Sequence, residues 1–229
     1  MTAPAAAAAR LPVATGFELW LLDLLVAPKP PELACLSAQE RQKAERFVFE
    51  RDRQRYLSAH VHLRRLLADY TGLPPARLEF TEGPFGKPAM CNVEHCSFNL
   101  SHSEDIAVVL IAAEGELGVD VEMLRPMPDA LALADRNFSA SERQSLRDLQ
   151  ASRRDHAFLA GWTRKEACLK AIGSGLSISP ETFTAGLTHQ ACTTEVPTPT
   201  GPERVGVDSY CHAGHLLIAW ARAESRTAT

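Results

Sequence analysis

The chain has six cysteines, Cys35, Cys91, Cys96, Cys168, Cys192 and Cys211, but no C-x-x-C pair. A chain of 229 residues can bury a core without covalent staples. Its thiols are therefore expected to be reduced and mostly buried, in a protein of the cytoplasm. Cys91, His95 and Cys96 lie close together but lack a second ligand pair at zinc-like spacing, so no zinc centre is expected there. Long hydrophobic runs are also missing. The apolar stretch Phe17–Val26 is interrupted by Glu18 and Asp23, and it is about half as long as a membrane span requires. The N-terminal MTAPAAAAARLP has no basic segment followed by a long apolar one, so it does not read as a secretory signal. Residues 1–15 are expected to form a disordered extension.

An excess of positive charge is absent as well. There are 24 Lys and Arg against 28 Asp and Glu, a formal charge of −4, which argues against a general nucleic-acid binder. The balance is uneven, however. Arg41 to Arg65 holds eight basic and three acidic residues, so this segment is +5 and the remainder −9. An acidic protein with one concentrated basic helix suits a small polyanion. With 45% hydrophobic and 23% charged residues, the composition is globular and excludes wholesale disorder. The length lies between one large domain and two small ones, at about 150 residues per domain.

The pattern along the chain mixes helices and strands. Phe17–Val26 has strand length. Ser37 and Glu40 form a capping-box signature ahead of a helix from Ala38 to Tyr70, broken once near Glu50, which Thr71-Gly72 and Pro74-Pro75 end. Short strands are predicted at Leu78–Thr81, Ser97–Leu100, Ile106–Ala112 and Leu117–Glu122, with a turn-rich loop over Glu82–Pro88. Helices follow at Pro128–Asn137, Ala140–Gln150 and Ser152–Ile172. Strands near Thr182–Gly186, Arg204–His212 and Leu216–Arg222 complete the chain, and Thr188–Pro202 reads as a loop. The fold class is α+β. No exact internal repeat is visible, and the pattern leaves the domain count open.

Several short segments could carry chemistry. In Gly118-Val119-Asp120-Val121-Glu122, strand alternation sends both valines to one face and both carboxylates to the other. Paired carboxylates repel unless a cation lies between them, and Mg²⁺ is commonly held by one or two carboxylates with waters and phosphates. A solvated outer face is the alternative. In Trp162-Thr163-Arg164-Lys165-Glu166-Ala167-Cys168-Leu169-Lys170-Ala171, Glu166 and Lys170 share a helix face. They could be a surface ion pair, or a third carboxylate with an ammonium placed for an anionic leaving group. Phe98-Asn99-Leu100-Ser101-His102-Ser103 offers hydroxyl and imidazole donors. Adjacent strand residues point to opposite faces and no G-x-S-x-G surrounds Ser101, so a hydrolase dyad is disfavoured. Gly83-Pro84-Phe85-Gly86-Lys87-Pro88 is not a Walker loop, since Pro88 stands where Ser or Thr is needed. The basic run supplies Arg41, Lys43, Arg46, Arg51, Arg53, Arg55, Arg64 and Arg65, of which two or three could meet one ligand.

Taken together, the order and spacing of these segments resemble the surfactin-synthetase-activating (Sfp) type of 4′-phosphopantetheinyl transferase. Gly86-Lys87-Pro88, Phe98–Ser103, Gly118–Glu122, the Trp162-x-x-Lys165-Glu166-x-x-x-Lys170 motif and Gly173-x-Gly175-Leu176-Ser177 carry the likeness, which spans Phe17 to Trp220. The resemblance implies a pseudo-dimer of two similar α+β subdomains, residues 16–115 and 116–229, with the active site in the cleft between them. It implies transfer of the 4′-phosphopantetheine arm of coenzyme A to a serine of an apo acyl or peptidyl carrier protein, releasing adenosine 3′,5′-bisphosphate.

The resemblance also implies roles. Asp120, Glu122 and Glu166 would bind Mg²⁺. Glu166 would accept the serine proton, and Lys170 would stabilise the leaving nucleotide. His102, with Ser101 nearby, would meet the 3′-phosphate. Lys87 and Pro88 would hold the adenine nucleotide, and Arg55 and Lys43 would contact phosphate from the first helix. Met123–Ser139, with Leu124, Arg125, Met127 and Phe138, is a candidate carrier-docking surface, although Leu131 and Phe138 could equally be core. The nucleophile belongs to the carrier, so none is needed here. A monomer that binds neither nucleic acid nor membrane is expected, and loss of Met1–Ala9 should leave activity intact. A non-catalytic carrier-binding module and a Mg²⁺-dependent phosphatase are the competing readings.

Overall fold

A computed structural model describes residues 7–224, with Leu176 described in its backbone only. The strands are β1 (Ala8–Leu11), β2 (Glu18–Asp23), β3 (Phe80–Glu82), β4 (Pro88–Met90), β5 (Ser97–Ser103), β6 (Ile106–Ala112), β7 (Glu116–Met123), β8 (Cys192–Val196), β9 (Glu203–His212) and β10 (Leu216–Ala223). The helices are α1 (Ala38–Ala44), α2 (Glu50–Thr71), α3 (Ala130–Asn137), α4 (Ala140–Asp148) and α5 (Ala151–Ile172). They build two four-stranded antiparallel sheets, ordered β1-β2-β6-β5 and β7-β10-β9-β8, and a β3-β4 hairpin. The α+β class is as the sequence implies.

Three local expectations are corrected. The expected disordered extension contains β1, whose Ala8–Leu11 pairs with Leu19–Leu22 as an edge strand; Met1 to Ala6 lie outside the described residues. The Thr188–Pro202 loop contains β8, where buried Thr194 and Val196 alternate with exposed neighbours on the pleat. The strand expected near Thr182–Gly186 is instead a 3₁₀ turn at Pro180–Thr182 followed by irregular chain. The cysteines are all free, but only Cys96 and Cys168 are buried, while Cys91 and Cys192 are exposed.

The helix expected to break near Glu50 does so, giving α1 and α2. The two long helices α2 and α5 are each 22 residues and end on a left-handed glycine, Gly72 or Gly173. Each is tied down by the same kind of strut. Ser37 caps α1, and its capping-box partner Glu40 also accepts from Arg64 Nε at 2.8 Å. Arg64 donates onward to the Pro75 and Leu78 carbonyls and stacks over the Phe80 ring. In the second half, Ser139 caps α4, and its partner Glu142 sits 2.8 Å from Lys165 Nζ. Lys165 donates to the Pro180 and Phe183 carbonyls and lies over the Phe183 ring. The cations differ and the linking segments differ in length. The repeat is therefore one of contacts rather than of sequence.

The core fills the spaces between helices and sheets. Leu63, Leu67 and Leu78 pack on Phe98, Val109 and Ile111. Leu169, Ile178 and Phe183 pack on Val205, Val207 and Ala219. Leu19, Val108 and Leu110 of the first sheet pack on Val119, Val121, Ile218 and Trp220 of the second. This third cluster joins the sheets and sets edge strand β5 beside edge strand β7.

Candidate active site at the seam between the sheets

The strand β7 reads as its alternation requires. Val119 and Val121 enter the shared core, and Asp120 and Glu122 face the other way. That other face meets α5. A Cβ at Gly118 would lie 2.0 Å from the Ala167 carbonyl oxygen and 2.4 Å from the Ala171 nitrogen. Only glycine lets the helix backbone come so close to the strand. On α5, Trp162, Glu166 and Lys170 form a half-buried stripe at four-residue spacing, while most of their neighbours are buried. The close contact thus brings this stripe to the carboxylates of β7.

At the centre, Lys170 Nζ is 2.7 Å from Asp120 Oδ1 and 2.8 Å from Ser101 Oγ. Ser101 donates to the same Asp120 oxygen at 2.8 Å. The second carboxylate oxygen, Asp120 Oδ2, is buried and has no hydrogen-bond partner among the described residues. Glu122 accepts from Ser103 at 3.3 Å and from Arg125 at 2.7 Å. Burial is the main cause raising the Glu166 carboxyl above the usual carboxylate range. The negative charge of Asp120 adds to it, Lys170 partly opposes it, and Glu122 adds a little more.

This chemistry fits a divalent cation. Three carboxylates face one ammonium, and a buried anionic oxygen lacks a partner, which ordinarily costs free energy. No three Asp, Glu, His or Cys side chains among the described residues converge into a ready-made cage. Mg²⁺ does not need one, because it usually takes one or two carboxylates and fills its octahedron with water and phosphate oxygens.

A cleft of about 1300 Å³ opens in the first half. Lys43, Arg46, Arg55, Tyr56, His60 and His102 line its polar side together with Glu40, Asp52, Glu79, Glu82 and Glu104, and Leu63, Phe80, Pro88 and Phe98 its apolar side. Arg55 is braced by Asp105 at 2.6 Å and Glu104 at 3.2 Å. His102 reaches solvent, yet surrounding protein desolvates its ring. This desolvation, with the nearby Lys170 and Arg55 charges, lowers its pKa from the ordinary histidine value.

The structure therefore separates residues that the resemblance groups together. Ser101 and His102 lie on opposite faces of β5, with Ser101 at the seam and His102 in the cleft. Lys87 is a bridge between elements, donating to Glu116 at 2.8 Å and to the Ala171 carbonyl at 3.0 Å. The Met123–Ser139 surface is only partly a surface. Leu124 and Arg125 are exposed, but Phe138 is fully buried and stacked on Phe158, with Leu131 and Met127 packed nearby. Tyr56 and His60 also line the cleft, on the same helix as the basic run, and no motif in the sequence marks them.

Two family models match the chain. One, described as 4′-phosphopantetheinyl transferase, N-terminal, covers residues 31–116; the other, the 4′-phosphopantetheinyl transferase superfamily, covers residues 116–213. The chain is 39% identical over 162 residues to the slr0495 protein of Synechocystis sp., covering 70% of this chain and 66% of that one. It is 36% identical over 147 residues to the 4′-phosphopantetheinyl transferase HetI of Nostoc sp., covering 63% and 62%. It is 30% identical over 155 residues to a 4′-phosphopantetheinyl transferase of Bacillus subtilis, covering 68% of each. The match spans just under two thirds of the first two relatives. With two models meeting at residue 116 and relatives matched across both halves, the chain belongs to the 4′-phosphopantetheinyl transferase family.

Proposed function

We propose that the protein is a transferase of the Sfp type that moves the 4′-phosphopantetheine of coenzyme A to a serine hydroxyl of an apo acyl or peptidyl carrier protein. The observation that carries this reading is the Asp120–Ser101–Lys170 cluster, with Glu166 beside it, near His102 of a cleft that also holds Lys43, Arg46 and Arg55. Residues 16–115 supply the coenzyme cleft and residues 116–229 the carboxylates and Lys170.

Coenzyme A occupies the cleft, with its 3′-phosphate near His102 and its phosphates within reach of Arg55 and Lys43. Pro88 borders the bound nucleotide with Lys87 next to it in the chain, while Ser101 acts from the seam through Asp120 and Lys170. Asp120, Glu122 and Glu166 would hold Mg²⁺, which would supply neutralisation of the diphosphate charge. The carrier serine oxygen bonds to the phosphorus bearing pantetheine, and the bond from that phosphorus to the bridging oxygen breaks. The serine proton passes to Glu166, whose raised pKa suits a base. The electron pair leaves with adenosine 3′,5′-bisphosphate, and Lys170 balances the charge that develops there. The protein acts as a monomer in the cytoplasm.

The test incubates the protein with coenzyme A, Mg²⁺ and a panel of apo carriers, and reads the carrier mass. Addition of the phosphopantetheine mass to at least one carrier is expected, with equimolar adenosine 3′,5′-bisphosphate. No addition on any acyl or peptidyl carrier would sink the proposal, and phosphate release without a carrier would favour a phosphatase.

A further inference from the structure

Among the described residues, strand β7 is the edge of its sheet, hydrogen-bonded only to β10. Its outward backbone donors face β5, which belongs to the other sheet, and no strand pairing among the described residues closes that gap. Side chains close it instead. Asn99 Oδ1 accepts from the Val119 N–H at 2.8 Å, Ser101 Oγ meets Asp120 at 2.8 Å, and Ser103 Oγ meets Glu122 at 3.3 Å. Asn99, Ser101 and Ser103 alternate along β5 and so share one face. Asn99 is 5% exposed. A Val119 N–H left unmatched at that depth would cost free energy.

We infer that Asn99 is a positioning residue for the transfer, fixing β7 against β5 so that Asp120 meets Ser101 and Lys170. This rests on the proposed transferase activity, and Asn99 touches neither the cleft nor a carboxylate. The Gly118–Val119 peptide hangs between two anchors. One is the β10 ladder, where Gly118 pairs with Ala221; the other is the Asn99 side-chain oxygen, which accepts from the Val119 N–H. Removing the second lets the edge strand relax away from β5, which lengthens the Ser101–Asp120 contact first. His102 projects from the opposite face of β5, and its position comes from the β6 ladder, where it pairs with Ala107. The coenzyme cleft is therefore insulated from the change.

Two variants and two readouts test this. In Asn99→Ala, hydrogen exchange at the Val119 amide should speed up about tenfold or more while the β6 amides keep wild-type rates. The same variant should lose about 10- to 100-fold in kcat, the penalty of a misplaced group, with the KM for coenzyme A within about twofold of wild type. Asn99→Asp keeps the acceptor and the shape but adds a buried acid, so it should restore slow exchange at Val119 and recover kcat above the Asn99→Ala level. Unchanged exchange at Val119 in Asn99→Ala would overturn the inference. So would faster exchange with wild-type kcat, or a loss that falls on the KM for coenzyme A. A wild-type protein that modifies no carrier would defeat the functional reading, while the exchange data would still judge the anchor itself.

Discussion

Lys170 and Asp120 meet at 2.7 Å, with Ser101 closing the triangle from the opposite sheet. The ammonium takes up one oxygen of the carboxylate and leaves the other, Oδ2, buried and unpartnered. The pair is thus only half compensated, and the free oxygen is the natural point for a cation. Asp120→Asn keeps the shape and the bonds to Ser101 while removing the charge. It should still bind apo carrier and coenzyme A but lose about 100-fold or more in kcat, read as adenosine 3′,5′-bisphosphate release. Turnover at the wild-type rate would remove Asp120 from the cation site.

Coenzyme binding should take up a proton. His102 has a pKa below the ordinary value of 6.5, held there by desolvation and the charges of Lys170 and Arg55. It is therefore neutral at neutral pH in the free protein. A phosphate beside it favours the imidazolium, so its pKa rises on binding, and affinity should improve as pH falls toward 6.5 and below. Calorimetry in buffers of different ionisation enthalpy reads the proton directly. His102→Gln should abolish the uptake and weaken binding, and uptake that survives in this variant would assign the proton to another group.

Much of the site is visible in the sequence because it depends on strict local periods. The alternation of Val119, Val121 against Asp120, Glu122 and the four-residue step from Glu166 to Lys170 both survive folding unchanged. The same alternation separates Ser101 from His102, which the resemblance places at one phosphate. What the sequence hides is relational. The Glu40–Arg64 and Glu142–Lys165 struts do the same work with different cations and different linker lengths. No exact repeat registers, and Lys165 reads as part of the catalytic motif although it is buried away from the seam, under Phe183. The strand β1 is hidden for another reason, since a run of alanines carries no pleat pattern and pairs only because the edge of β2 is available.

The first strut gives a pH signature. Burial alone would raise the Glu40 carboxyl, but hydrogen bonds from His60 and Ser37 and the Arg64 charge more than reverse this and hold it at about 2, below 4.5. A depressed carboxylate stabilises the fold fully above its unfolded value, and the contribution is lost as pH falls through the folded value. Thermal stability should therefore decline from pH 4.5 downward toward 2, and Glu40→Gln should flatten that decline. At pH 7 the same substitution leaves Arg64 buried without a counter-charge, at a cost of about 3–5 kcal/mol. An unchanged melting temperature at pH 7 would show that Arg64 is satisfied by the Pro75 and Leu78 carbonyls alone.

Removing Met1–Ala9 should separate stability from activity. The deletion takes Ala8 and Ala9 from β1 and the Ala7 carbonyl that accepts from Asp23. That edge is separated from the seam by β2 and β6 in the sheet order. The melting temperature should fall by a few degrees, on the order of 1 kcal/mol, with kcat unchanged. A matching loss of kcat would mean that the far edge of the sheet transmits to β5.

Gly118 ties packing to chemistry most directly. Its position on β7 is extended, so no special backbone angle explains it; the constraint is space, with the Ala167 carbonyl oxygen 2.0 Å from where a Cβ would sit. The obstructing atoms are helix backbone, which cannot rotate aside as a side chain could. Gly118→Ala must therefore push α5 away from β7. Overpacking of this kind costs about 1–3 kcal/mol, and the shift falls on Glu166, next to Ala167, and on Lys170, about one turn further along α5. Stability and kcat should drop together, while the KM for coenzyme A, whose proposed site is the first-half cleft, should hold. Ala167→Gly does not restore room, because the clash is with the carbonyl and not the methyl group, so the double variant should remain as slow as the single one. Recovery in the double variant would show that side-chain crowding, not backbone approach, is what requires glycine at this position.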